Sequence, residues 1–269
     1  MLWELWQFSF FQRALVAGLF LAVAGAVLGV FLILRKDAML GHGLTHIAFA
    51  GVALALFFDV LPFPVALLLA SIAAFLILKV RERAGLYGDT AVGIISSLGM
   101  AVGITLASIA RDFNVNLLSF LFGNILAVSD LELYGSIVLA TLVLLTLLLF
   151  YYEILYVTFD EESARASGLP VQRLDALLAL LTAITVVIGM KIVGLLLVSA
   201  LLVIPGAAAL QLAGSFKRCL FLAAIFGALS VSIGLFLAAL FDLPASGAIV
   251  LTSGAIFLGA FLWGRLRRL

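Results

Sequence analysis

The chain has 269 residues, 66% of them hydrophobic and only 11% charged, with a mean hydropathy of +1.35. Soluble domains carry about a quarter charged residues, so this composition excludes a disordered chain, a secreted disulfide scaffold and a nucleic-acid binder working through a basic surface. The net charge of +1 points to no partner, and the one cysteine, Cys219, excludes an internal disulfide and a multi-cysteine metal site.

Charge-free gaps of membrane length recur along the chain. Residues 14–34 open the series, and 38–58 follow with no ionisable group except two histidines. Residues 60–78 begin with Pro62 and Pro64, and 90–110 are clean again. Further on come 133–152, the shorter 176–190, then 192–216, 219–241 and 243–264. A helix needs about 20 apolar residues to cross roughly 30 Å of hydrocarbon, and helices satisfy their own backbone groups in lipid. The expected fold is all-α, a polytopic transmembrane helical bundle of about eight or nine spans. No repeat, linker or low-complexity tract divides it, so residues 1–269 read as a single transmembrane domain.

Residues 113–129 break the pattern. They carry Asn114, Asn116, Asn124 and Gly123, and are short for a full span. They read as a short re-entrant or bent element, which is tolerated at membrane depth only where protein or a cavity surrounds it.

With that element not crossing, the loops divide by sign. One side collects Arg35, Lys36, Lys79, Arg81, Arg83, Arg165, Arg173, Lys217, Arg218, Arg265, Arg267 and Arg268; the other keeps Arg13, Arg111 and Lys191. The positive-inside rule places the first group in the cytoplasm, with the C-terminus inside and the N-terminus outside. Trp3 and Trp6 read as interface anchors, since no basic leader or small-residue cleavage site accompanies them. No polar stretch exceeds about 20 residues, which leaves no room for an ATPase or catalytic domain in a span-rich chain of this length. Any energy source then belongs to another chain or to an ion gradient. Gly25 with Gly29, and Gly99 with Gly103, make small-xxx-small faces for close helix packing.

Ionisable groups inside spans cost a few kcal/mol each. The segment LGHGLTHIAFAG, residues 40–51, places His42 and His46 four apart, on one helical face about one turn from each other. His46 falls about ten residues beyond the basic pair Arg35 and Lys36, roughly 15 Å into the membrane. Two neutral imidazoles so spaced can donate to one Zn²⁺, Mn²⁺ or Fe²⁺; alternatively they bond to neighbouring carbonyls or hydroxyls. Asp59 and Asp242 sit at outer span ends, as solvated interface carboxylates or as metal entry points, with Asp59 a candidate for the metal pathway. Asp89 follows GLYG at an inner span start, where it caps a helix or joins the same path. Asn116 is a further pathway candidate, and Lys191 can snorkel outward from a tight hairpin. The chain has no phosphate-binding glycine loop, nucleophile elbow or HExxH, so no catalytic residue is assigned and enzymatic readings have little support.

In FDEESARASGLP, residues 159–170, Asp160, Glu161 and Glu162 bring negative charge to a helix start. Ala164 and Arg165 continue that helix, Gly168 suits its end, and Pro170 lies beyond. A short capped helix of this kind is either an ordinary connector or a docking peg for another protein.

These pieces resemble the metal-ion permease family of ABC importers, which carries zinc, manganese or iron. The similarity runs along nearly the whole chain. Its most specific parts are LGHGLTHIAFAGVALA at 40–55, FLFGNILAVS at 120–129, FDEESARASGLP at 159–170 and KIVGLLLVSALLVIPGAAA at 191–209. The resemblance implies the fold of a type II ABC-importer permease, working as a homodimer with a pathway at the subunit interface. It also implies a cytoplasmic ABC ATPase subunit docked on the 159–170 helix and an external metal-binding solute-binding protein. ATP would be hydrolysed on the partner subunit, and the permease would have no cofactor beyond its transported metal. In that family an aspartate usually stands four residues before the histidine of the second span; here that position is His42. Two imidazoles in place of one carboxylate and one imidazole tilt the expected cargo towards Zn²⁺ over Mn²⁺ or Fe²⁺. The main alternative is an ion-coupled secondary transporter acting alone, with His42 and His46 as a proton relay and residues 113–129 as a broken helix.

Overall fold

The computed structural model describes residues 7–85, 88–109, 123 and 128–266. Asn116 and most of the 113–129 element lie outside the described residues, as do Trp3, Trp6, Arg111, Arg267 and Arg268.

Eleven helices and no strand occur among the described residues: α1 Ser9–Leu34, α2 Ala38–Phe57, α3 Pro62–Ala84, α4 Gly88–Ile109, α5 Asp130–Leu149, α6 Tyr151–Phe159, α7 Glu161–Ala166, α8 Val171–Val193, α9 Leu195–Leu212, α10 Phe216–Phe241 and α11 Ala245–Leu266. Eight of them are long and apolar enough to cross a membrane, and α9 is a shorter apolar helix. All nine expected spans are therefore helical.

Local chemistry fixes the ends. Pro62 opens α3, where its missing N–H costs nothing, and Gly85 closes it at φ 58°. Beyond α1, Lys36 turns left-handed at φ 62° and the Asp37 N–H donates to the Leu32 carbonyl at 2.8 Å. α2 closes the same way, with Asp59 at φ 53° and the Val60 N–H on the Ala55 carbonyl at 2.9 Å. Both are Schellman closures, which satisfy carbonyls that the helix end leaves free. α5 starts with a capping box: Ser129 accepts from the Glu132 N–H, and the Glu132 carboxylate accepts from the Ser129 N–H at 2.9 Å.

Glycines set the packing. A Cβ at Gly29 of α1 would lie 1.6 Å from the Leu202 carbonyl oxygen of α9, so the two backbones nearly touch there. A Cβ at Gly99 or Gly103 of α4 would meet Ile47 at 2.9 Å or Phe49 at 2.7 Å on α2. Both expected small-residue faces are thus in use, each against a different neighbour. Gly43 of α2 faces Val92, Ile47 faces Gly99 and Phe49 faces Gly103, so α2 and α4 run parallel. Gly51 of α2 meets Ala66 of α3, which returns antiparallel. α1, α2 and α8 are mostly buried; α3, α4, α5, α10 and α11 expose most of their apolar surface.

This topology sorts the charges. Arg35, Lys36, Lys79, Arg81, Arg83, Arg165, Arg173, Lys217, Arg218 and Arg265 gather at one end of the bundle, where α1 and α3 finish and α2, α4, α8 and α10 start. Arg13 and Lys191 lie at the opposite end, paired with Asp130 at 2.9 Å and Glu132 at 2.8 Å. α4 finishes at that opposite end and α5 begins there; the expectation that the 113–129 element does not cross falls mostly outside the described residues. Among the described residues, the basic side chains divide between the two ends of the bundle as the sequence reading divides them.

Candidate functional site

α2 holds the two histidines because Ala38–Phe57 is an uninterrupted helix, which turns their four-residue spacing into proximity. The His46 and His42 Nε2 atoms are 3.3 Å apart, and the rings meet edge to face at 84° with centroids 4.8 Å apart. Two zinc–imidazole bonds of about 2.05 Å meeting near the tetrahedral angle place their nitrogens about 3.3 Å apart. An N–H···N hydrogen bond between neutral imidazoles fits the same separation. His46 Nδ1 is buried and has no hydrogen-bond partner among the described residues.

The sector of α2 that carries the pair is open. Gly41 faces Leu202 of α9 and Thr182 of α8, Gly43 faces Val92 of α4, and Gly51 faces α3. At about 100° per residue, His42 and His46 project between the first two directions and away from the third. His42 is accordingly exposed and His46 half-buried, although α2 is otherwise one of the most buried helices. Among the described residues no group of three or more His, Cys, Asp or Glu side chains can hold a metal. The described surface of this chain thus offers two imidazole nitrogens and an open side.

Among the described residues, neither Asp59 nor Asp89 joins the pair in a metal-holding group. Asp59 is exposed in the left-handed turn that closes α2. Asp89 falls in the first turn of α4 rather than at its cap, exposed, and near enough to Asp37 for its charge to be felt there. Asn116 is outside the described residues.

Asp89 borders a cluster that no local spacing announced. At the basic end Arg35 donates from Nη2 to Asp175 of α8, and its Nε lies 3.9 Å from Asp37. Asp37 Oδ1 also accepts from Arg81 of α3 at 2.6 Å. Burial pushes the Asp37 carboxyl up, against the pull of Arg81 and Arg35. A cavity of about 480 Å³ adjoins these groups, with Glu161 and Arg165 of α7 on its wall.

α7 matches its sequence reading closely. Asp160 caps it, accepting from the Ser163 N–H at 3.0 Å, and those bonds hold its carboxyl below the usual carboxylate range. Glu161 and Glu162 occupy the first turn, Arg165 pairs with Glu161 at 2.9 Å, and Ala164 is buried. Gly168 stands at φ 84° beyond the end. At the far end of the molecule Lys191, in the last turn of α8, reaches Glu132 beside an apolar cavity of about 410 Å³, and the hairpin that follows turns on Gly194 at φ 89°. Glu132 escaped the sequence reading, although the Ser-x-x-Glu capping signature at 129–132 marks it. Asp37 and Asp175 carried no such local signal.

Comparison with known proteins agrees with this architecture. The model of the ABC 3 transport family matches residues 7–264. The manganese transport system membrane protein MntC of Halalkalibacterium halodurans is 35% identical over 260 residues, 97% of this chain and 89% of that protein. The high-affinity zinc uptake system membrane protein ZnuB of Haemophilus influenzae is 33% identical over 93% of this chain and 96% of its own length. Among solved structures, PsaBC from Streptococcus pneumoniae in complex with Fab superposes with a TM-score of 0.87 at 34% identity, covering 97% of this chain and 95% of that one. An inward-facing metal-chelate-type ABC transporter shares the fold at a TM-score of 0.73 and 20% identity. The all-α, polytopic permease fold and the family resemblance read from four motifs are both upheld, and the chain belongs to the ABC 3 transport family.

Proposed function

We propose that this chain is the membrane-spanning subunit of an ATP-driven importer of divalent transition metals, with zinc as its preferred cargo. The observation that carries the reading is the His42–His46 pair on the open sector of α2, its two Nε2 atoms 3.3 Å apart. Family membership supports the transport class, and relatives named for manganese and for zinc support a divalent metal as cargo. The choice of zinc rests on two imidazole donors, which suit borderline metals better than Mn²⁺.

The subunit works as a homodimer in the plasma membrane, its basic end and C-terminus cytoplasmic and its N-terminus external. The open sectors of two copies face a shared pathway, and the paired histidines hold the metal transiently between them. A closed four-ligand cage would bind too tightly to release cargo on each cycle. α7, with Asp160, Glu161, Glu162, Ala164, Arg165 and Gly168, docks a cytoplasmic ABC ATPase, which alone binds and hydrolyses ATP. An external solute-binding protein delivers the metal. Nucleic acid has no part in it, and the alternative of an ion-coupled carrier working alone has the family against it.

The test is reconstitution with the ATPase and binding-protein partners, followed by ATP-dependent uptake of Zn²⁺, Mn²⁺ and Fe²⁺ side by side. Zinc uptake is expected to exceed the others, and the His42→Ala, His46→Ala double variant should abolish it with the complex still assembled. Preferred manganese or iron uptake would leave the importer and refute the imidazole basis of selectivity. Uptake at unchanged affinity in the double variant would refute the site.

A further inference from the structure

Among the described residues Arg35 is the most enclosed cation of the basic end, its side chain 10% exposed. It stands at the C-cap of α1, three residues from the start of α2. Its guanidinium contacts two carboxylates that belong to different parts of the fold. Asp175 lies in the second turn of α8, and Asp37 is the residue on which α2 begins. Arg81, at the end of α3, holds the second oxygen of Asp37. The third guanidinium nitrogen, Nη1, is buried without a hydrogen-bond partner among the described residues.

The segments on either side of this cluster have little slack. The α1–α2 link is three residues long, closed by the Asp37 to Leu32 hydrogen bond. α7 joins α8 through residues 167–170, stitched by the Leu169 N–H on the Ala164 carbonyl at 3.1 Å and by the Arg173 N–H on the Pro170 carbonyl at 3.0 Å. Helices move as nearly rigid bodies, and packed elements shift between discrete arrangements rather than deform smoothly. Motion of the α7–α8 elbow therefore displaces Asp175, and Asp175 is bonded to Arg35. The cavity of about 480 Å³ between Glu161 and Arg165 on one wall and Arg35, Arg81 and Asp175 on another leaves α7 room to move.

We propose that Arg35 is a positioning residue that ties the α7–α8 elbow to α2, so that displacement of α7 by its ATPase partner is delivered to the helix bearing His42 and His46. The inference rests on the importer reading above. It differs from a staple that only holds the fold, because α2 carries the metal ligands five and nine residues beyond Asp37. A staple sets how much complex survives; a transmitting contact sets how much transport each ATP yields.

The experiment compares wild-type, Arg35→Gln and Asp175→Asn permeases, each reconstituted with the ATPase and binding protein, with zinc uptake and ATP hydrolysis measured on the same vesicles. Both variants should co-purify the ATPase and hydrolyse ATP near the wild-type rate. Metal moved per ATP should fall about tenfold, within the range usual for coupling between distant sites. Asp175→Asn keeps the side-chain shape but removes the charge that pairs with Arg35, so it carries the test if Arg35→Gln fails to assemble. An unchanged ratio of metal to ATP overturns the proposal, as does a fall in uptake matched by the fall in assembled complex. Failure of the wild-type complex to move any metal would overturn the importer reading instead.

Discussion

Asp160 shows how one side chain sets the start of the proposed docking helix. Its ionised carboxylate accepts the Ser163 N–H, which lowers its folded pKa below the unfolded value. That contribution is present above the unfolded pKa and disappears as pH falls through the folded one. α7 should therefore fray in acid, below the normal carboxylate range, as faster amide exchange at Ser163. Asp160→Asn keeps an acceptor at the cap and should remove the pH dependence while protection at neutral pH persists. Residues of this kind were legible in the sequence because cap, first-turn acids and terminal glycine lie within a dozen positions. His42 and His46 were legible for the same reason, one turn apart on one helix. The Arg35–Asp175 contact was not, since its partners are 140 positions apart and only the packing of α1 against α8 brings them together.

Among the elements, α1 meets the backbone of α9 at Gly29, where a Cβ would lie 1.6 Å from the Leu202 carbonyl oxygen. Gly29→Ala forces a methyl carbon onto the Leu202 carbonyl, and overpacking of this sort costs about 1–3 kcal/mol. The variant should unfold at a lower temperature in detergent, whereas Gly93→Ala on α4, with open space around it, should not. The elbow after α7 makes a second prediction. At φ 84° a β-branched residue is strained, so Gly168→Val should weaken co-purification of the ATPase, and Gly168→Asn, which tolerates that backbone, should restore much of it. Unchanged co-purification in both, and in charge reversals at Glu161 and Glu162, would remove docking from this helix. Span positions were readable from charge-free gaps because lipid imposes one length on every crossing helix. Which faces meet was only half readable: the glycine pairs announced close contacts, but not that Gly25 and Gly29 take α9 as partner while Gly99 and Gly103 take α2.

For the molecule as a whole, the open sector of α2 needs a covering that this subunit's described residues do not supply, and a second copy is the proposed one. Native mass measurement of the purified complex should give two permeases with two ATPases. A single permease per complex would leave the histidine pair without its facing half and refute the shared site. The division of charge between the two ends has a consequence of a different kind. At the end opposite the basic residues, Arg13 and Lys191 are matched by Asp130 and Glu132, and Asp59 and Asp242 remain in surplus among the described residues. Both surplus carboxylates are exposed, each held in a left-handed turn that closes a helix. The proposed dimer would double that excess at the end read as external, while the opposite end carries more cations than anions among the described residues. An electrostatic gradient thus runs along the molecular axis before any ligand arrives. In the proposed importer it would concentrate divalent cations at the end read as external and discourage their return from the other, a bias towards one-way traffic that added salt would flatten.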